Sequence, residues 1–160
     1  SLVLVSLLLS SGCKTPSSRT SEARPIFGKD DRKEFYESSA RWQAIALAAC
    51  KQSGNPWLPE IAPPRPLAAA LAALRGAPGA ACFGALQEGA VPLPEFFGRL
   101  RREACPQVAA FIGPEGDFSP AEVAALLAAG VQPVTFGPIV FRVETAALFV
   151  LSALQYAWLP

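Results

Sequence analysis

The sequence predicts an α/β domain built on a parallel sheet flanked by helices. Two apolar runs, Val108 to Ile112 and Val131 to Phe136, each lead into Gly-Pro, and a helix-like segment separates them. Strand, tight loop, helix, strand, tight loop, helix is the order of a parallel sheet with crossover helices. Ligands of such sheets sit at the carboxyl ends of the strands, where both Gly-Pro loops fall. Composition agrees with a packed domain: 160 residues, 51% of them hydrophobic and 17% charged, are enough for a core and exclude a disordered chain.

The elements follow in order. Ser1 to Cys13 is an apolar run followed by small residues and a cysteine, similar to the end of a bacterial lipoprotein signal. It lacks basic residues before the run and is too short to span a bilayer. A strand or helix opening a cut domain is the preferred reading. The chain contains no methionine, so it is expected to be incomplete or processed. Lys14 to Glu37 is polar and mixed in charge and reads as a flexible loop. Its Arg19, Arg24, Arg32 and Lys33 are either RNA-phosphate contacts or a solvated face.

Ser38 to Ser53 is a helix with Trp42, Ile45 and Ala49 at helical spacing, closed by Gly54. Trp57 to Pro66 is proline-rich and extended, and Leu67 to Arg75 returns to helix. Ala80 to Phe83, between Gly79 and Gly84, is a short central strand. Leu93 to Glu103 is an amphipathic helix, with Phe96, Phe97 and Leu100 opposite Arg99, Arg101 and Arg102. Those arginines form an RNA-facing patch or, more simply, a solvated helix face. Ser119, Pro120 and Glu122 have the pattern of a capped helix start. Val123, Leu126 and Leu127 are expected in the core, and Gly130 ends the helix. The last helix, from about Glu144 to Trp158, has no charge after Glu144 and is apolar most of the way round. A second buried side points to another subunit.

Several chemistries are excluded. With no histidine, the chain holds no Ser-His or Cys-His pair and no His-ligated metal. The four cysteines, Cys13, Cys50, Cys82 and Cys105, include no Cys-x-x-Cys pair, so no metal is expected and free thiols in a reducing cytoplasm are. A net charge of +1 gives no global attraction to nucleic acid. The Gly-Pro loops are neither a dinucleotide fingerprint nor a P-loop. Gly113, Gly116 and Gly137 would let a ligand approach the backbone, and Ile112, Phe136, Val140 and Phe141 would wall an adenine ring. The plainer alternative is a pair of structural turns.

Here the residues resemble a family. Ile-Gly-Pro-Glu-Gly-Asp-Phe-Ser-x-x-Glu-Val, then Phe-Gly-Pro-x-x-x-Arg-x-Glu-Thr-Ala-Ala-Leu, then Ala-Leu-Gln is similar to the catalytic domain of the RsmE family, and Arg41 to Gly54 with Pro59-Glu60-Ile61 resembles an upstream helix of that family. The likeness runs from about Arg41 to the end. Residues 1–40 match poorly, and the family's N-terminal RNA-binding barrel has no counterpart in 1–160, which is read as one domain. The resemblance implies a SPOUT α/β knot with a C-terminal trefoil. It implies a cytoplasmic homodimer, paired through the last helix, that is not membrane-bound. The activity it implies is S-adenosylmethionine-dependent methylation of a uridine N3 in small-subunit (16S) ribosomal RNA.

By the same resemblance, cofactor contacts fall on Phe83 and the loop that follows Cys82 and Phe83, on Ile112, Gly113, Pro114, Glu115 and Gly116, and on Phe136, Gly137, Ile139, Val140 and Phe141. Arg142 is the candidate for stabilising a uridine anion and Glu115 for the base; a pairing of Arg142 with Glu144 or Glu115 that fixes the loops is the alternative. The family usually carries Gly at Asp117, Arg at Ile139, Leu at Phe141, Thr at Val143 and Arg at Asn55. The missing basic residues leave a non-catalytic RNA-binding or dimerisation module as the second reading.

Overall fold

The computed structural model describes residues 3–7, 29–62, 65–76, 79–86, 88–114 and 117–158. The chain divides into two compact units, Ser1–Pro16 with Leu67–Pro160, and Ser17–Pro66.

The larger unit holds a five-stranded sheet. Its strands are β1 (Val3–Leu7), β2 (Ala80–Gly84), β3 (Val91–Pro92), β4 (Val108–Ile112) and β5 (Gln132–Thr135), in spatial order β1-β4-β2-β5-β3. β4, β2, β5 and β3 run parallel, with Ala80 opposite Val108, Cys82 opposite Gln132 and Val91 opposite Val134. β1 lies antiparallel on β4, Val3 against Ile112 and Leu7 against Val108. Within the opening apolar run, Val3–Leu7 is therefore a strand, and it runs against an otherwise parallel sheet, a common arrangement at sheet edges.

Side-chain alternation divides the core between the two faces of the sheet. Cys82, Val108, Ala110, Ile112 and Val134 pack with α3 (Leu93–Arg102) and α5 (Val143–Trp158). Phe83, Ala109 and Phe111 pack with α2 (Leu67–Leu74) and α4 (Pro120–Ala128). All five residues of β4 are buried, as a strand covered on both faces requires. Phe83, Phe96, Phe97 and Phe111 are among the largest fully buried side chains, each contributing about 1.5–3 kcal/mol of apolar transfer. Burial also pushes the Cys82 thiol up to about 12.

β5 sits inside the sheet although it contains Pro133. Val134 turns its carbonyl to β2, where Ala85 N–H donates to it at 2.9 Å. Pro133 faces the other side, and β3 pairs only from Val134 onward, so its missing N–H orphans no acceptor.

α4 begins as its sequence predicts. Glu122 N–H donates to Ser119 Oγ, and Ser119 N–H donates to Glu122 Oε2 at 2.8 Å, closing a capping box. The hydrogen bonds that Ser119 N–H and Ser119 Oγ donate to Glu122 Oε2, both at 2.8 Å, hold that carboxyl below its ordinary range. In α3, Phe96, Phe97 and Leu100 are buried and the arginines exposed. Arg99 lies over the Phe96 ring at 5.5 Å.

Two of these expectations need correction. The helix expected from Ser38 is α1, Lys29–Ser53, so residues 29–37 are helix rather than loop. Lys, Glu and Arg form helix well; the lack of an apolar stripe hid this. Arg32 and Lys33 thus stand on α1, while Arg19 and Arg24 lie outside the described residues. Leu127 is exposed: Leu126 takes the core position of that turn, and its neighbour points some 100° away. The two-residue strand β3 was not anticipated.

The smaller unit contains α1 and the segment after it. Gly54 adopts φ +68 and Asn55 N–H donates to Cys50 carbonyl at 3.1 Å, closing the helix with a glycine cap. Asn55 Oδ1 then accepts from Trp57 N–H at 3.0 Å. The position where the resemblance expects arginine is occupied by a residue that holds a turn.

Candidate functional site

Three neighbouring parallel strands, β4, β2 and β5, end on the same edge of the sheet. There, with the loop leading into α5, they surround a cleft of about 310 Å³, at the lower end of the usual size for small-molecule sites. Its floor is Gly84, Ala85 and Leu86 at the end of β2, and Ile112, Gly113 and Pro114 at the end of β4. Its far wall runs from Thr135 through Phe136 and Gly137 to Ile139–Val143, with Ala146 of α5 behind.

Two glycines shape the floor. A Cβ on Gly84 would lie 2.9 Å from two ring atoms of Phe136, so only glycine lets that ring close over the end of β2. A Cβ on Gly113 would lie 2.9 Å from Asp117 Oδ1, so glycine admits that carboxylate against the end of β4. Across the cleft, Gly137 takes φ +107, and its N–H donates to Thr135 Oγ1 at 3.2 Å. That hydrogen bond fixes the turn by which the chain leaves β5.

The wall is aromatic and apolar. Phe149 of α5 contacts both Phe136, at 5.8 Å between centroids, and Phe141, at 5.1 Å. Ile139 and Val140 are 66% and 69% exposed, and Leu86 is 64% exposed. Clustered apolar exposure at a cleft rim marks a surface that meets a ligand or partner.

Arg142 and Asp117 are the charged side chains among the described lining residues. Arg142 immediately precedes α5, and its carbonyl accepts from Ala146 N–H at 2.8 Å. A cation there opposes the positive end of the helix, so helix stability does not explain it. Asp117 is exposed and has φ +61, a left-handed backbone. Its N–H donates to Pro114 carbonyl and its Oδ1 accepts from Phe118 N–H, both at 2.8 Å.

Of the residues expected from the sequence, the fold gathers Ile112, Gly113, Pro114, Phe136, Gly137, Ile139, Val140, Phe141 and Arg142 around this one cleft. Glu115 and Gly116 lie outside the described residues. Phe83 does not line the cleft: its ring faces the α2/α4 side, edge-on to Phe118 at 5.9 Å. The loop expected after Phe83 supplies Gly84, Ala85 and Leu86. Sequence reasoning missed Thr135 and Ala146, which nothing local signals.

α5 turns Ala146, Val150 and Leu154 to the core and leaves Leu148, Phe149 and Tyr156 exposed, at 66%, 37% and 79%. Among the described residues, no helix is long and apolar enough to cross a membrane.

Comparison with known proteins agrees with this architecture. A family model for an RNA methyltransferase domain matches residues 25–155. The ribosomal RNA small subunit methyltransferase E of Synechocystis is 28% identical over 115 residues, covering 72% of this chain and 37% of that protein. The small subunit methyltransferase E of Neisseria gonorrhoeae, solved bound to S-adenosyl methionine, superposes with a TM-score of 0.64 at 29% identity, over 78% of this chain and 50% of that one. A Legionella pneumophila protein described as a methyltransferase, solved with SAM, superposes with a TM-score of 0.63 at 26% identity, over 92% and 52%. The chain thus spans about half the length of these solved relatives.

Proposed function

The chain belongs to the RNA methyltransferase domain family, on its RsmE-like side, and we propose that it is the catalytic domain of an enzyme that methylates N3 of a uridine in 16S ribosomal RNA from S-adenosylmethionine. The observation that carries this reading is the cleft where β4, β2 and β5 end. Its chemistry fits the cofactor. Gly84 and Gly113 let the Phe136 ring and the Asp117 carboxylate line the cleft, and Ile112, Phe136, Val140 and Phe141 offer apolar walls for a flat ring.

When bound, S-adenosylmethionine supplies an electrophilic methyl group on a sulfonium. The chain must bring the uridine to it, remove the N3 proton and hold the resulting negative charge. Arg142, a guanidinium at the cleft wall, is the residue for that charge. Glu115 is the candidate base. Ile139, Val140 and Leu86, exposed at the rim, would exclude water once substrate covers them. The exposed apolar side chains of α5 support a homodimer, which would cover them, and the activity suits a cytoplasmic enzyme. The trefoil knot belongs to the same reading.

Calorimetry with S-adenosylmethionine, followed by transfer of labelled methyl to small ribosomal subunits lacking the mark, tests it. Micromolar binding with transfer to one uridine is expected. Absence of cofactor binding would overturn the reading. Binding without transfer would favour the non-catalytic module, to which Asn55 and Ile139 point.

A further inference from the structure

The rim of the cleft carries a carboxylate on a backbone better suited to glycine. Asp117 takes φ +61, a region where side chains other than those of Asn and Asp are seldom found. Gly113 must lack a side chain for the carboxylate to sit where it does. One carboxylate oxygen is held by Phe118 N–H at 2.8 Å, which orients the group; among the described residues the second oxygen has no hydrogen-bond partner and can face a ligand. Asp117 is thus a fixed negative charge on the cleft lining, with Arg142 the other charge there among the described residues.

We propose that Asp117 is a specificity determinant that makes the cleft favour the positively charged sulfonium cofactor over its neutral thioether product. The proposal rests on the reading that the cleft takes S-adenosylmethionine. Binding then differs between the two ligands by an attraction that only the sulfonium feels. Methyl transfer removes the positive charge, and Asp117 ceases to favour the spent cofactor, which leaves more readily. A glycine at this position would satisfy the backbone and supply no such discrimination.

The test is calorimetric titration of the whole chain with S-adenosylmethionine and, separately, S-adenosylhomocysteine, using wild type, Asp117→Asn and Asp117→Gly. Asparagine tolerates the left-handed backbone and keeps an oxygen for Phe118 N–H, so Asp117→Asn changes chiefly the charge. For an exposed pair the expected loss in S-adenosylmethionine affinity is about two- to fivefold, with S-adenosylhomocysteine affinity nearly unchanged. The preference should weaken with added salt, and Asp117→Gly should lower it as Asp117→Asn does. Equal shifts for both ligands, or no shift for either, would overturn the proposal while leaving the cofactor reading intact. Failure of wild type to bind either ligand would overturn both.

Discussion

The two ends of the sheet carry concavities of nearly equal volume, about 310 Å³ at the carboxyl edge and about 300 Å³ at the amino edge. Size does not distinguish them; the work of their glycines does. At the amino edge, a Cβ on Gly79 would lie 2.5 Å from Gln107 carbonyl oxygen, which also accepts from Ala80 N–H at 2.9 Å. That glycine serves the joint between two strands. At the carboxyl edge, Gly84 admits the ring of Phe136 and Gly113 admits the carboxylate of Asp117. Those glycines let side chains line a space. The arginines differ too. Arg99 at the amino edge lies over Phe96, near the C-terminus of α3, where a cation is favourable. Arg142 stands at the wrong end of its helix for that explanation. The lesson is that a site is recognised by groups whose placement folding does not require.

Variants that separate the two edges sharpen this contrast. The largest effect is expected from Arg142→Ala, which should lower methyl transfer by about a hundredfold, with S-adenosylmethionine affinity within about twofold. Arg99→Ala at the other edge should leave both unchanged. Comparable losses from the two variants, measured in single turnovers, would erase the distinction. Next is Gly84→Ala, whose new methyl displaces the Phe136 ring. Cofactor affinity should fall about tenfold, or about 1.4 kcal/mol, while the melting temperature changes little. Normal affinity would remove Phe136 from the wall.

Ser119→Ala separates framework from site. Loss of the cap should cost about 1 kcal/mol of stability in urea without changing cofactor affinity. The smallest effect concerns pH. Glu122 is held below its ordinary range by Ser119, so its stabilisation is present above the unfolded pKa of about 4.3 and fades as pH falls through the lower folded value. Glu122→Gln should flatten that acid limb; an unchanged slope would show that the capping box does not titrate as drawn.

Much of this was legible in the sequence where one signal sufficed. β4 is a continuous apolar run, α3 has a clear helical stripe, and α4 carries its cap in Ser119, Pro120 and Glu122. β3 escaped because two residues, Val91 and Pro92, display no period. The head of α1 escaped because a charged helix and a charged loop have the same composition. The cleft was legible at its Gly-Pro loops, whose residues are contiguous. Thr135 and Ala146 belong to it only because β5 inserts beside β2 and α5 returns over the strand ends, which is information about pairing and not about local sequence. Phe83 shows the converse: adjacency to the site in sequence put its ring on the opposite face of the sheet, since successive strand residues point opposite ways.

The central claim, that the carboxyl edge is where S-adenosylmethionine binds, is tested most directly by following backbone amide resonances during a titration with the cofactor. Shifts are expected at Gly84–Leu86, Gly113 and Phe136–Val143, with Gly79, Arg99, Gly130 and Gln132 unmoved. Shifts confined to that second group, at the amino edge, would contradict the assignment of the site.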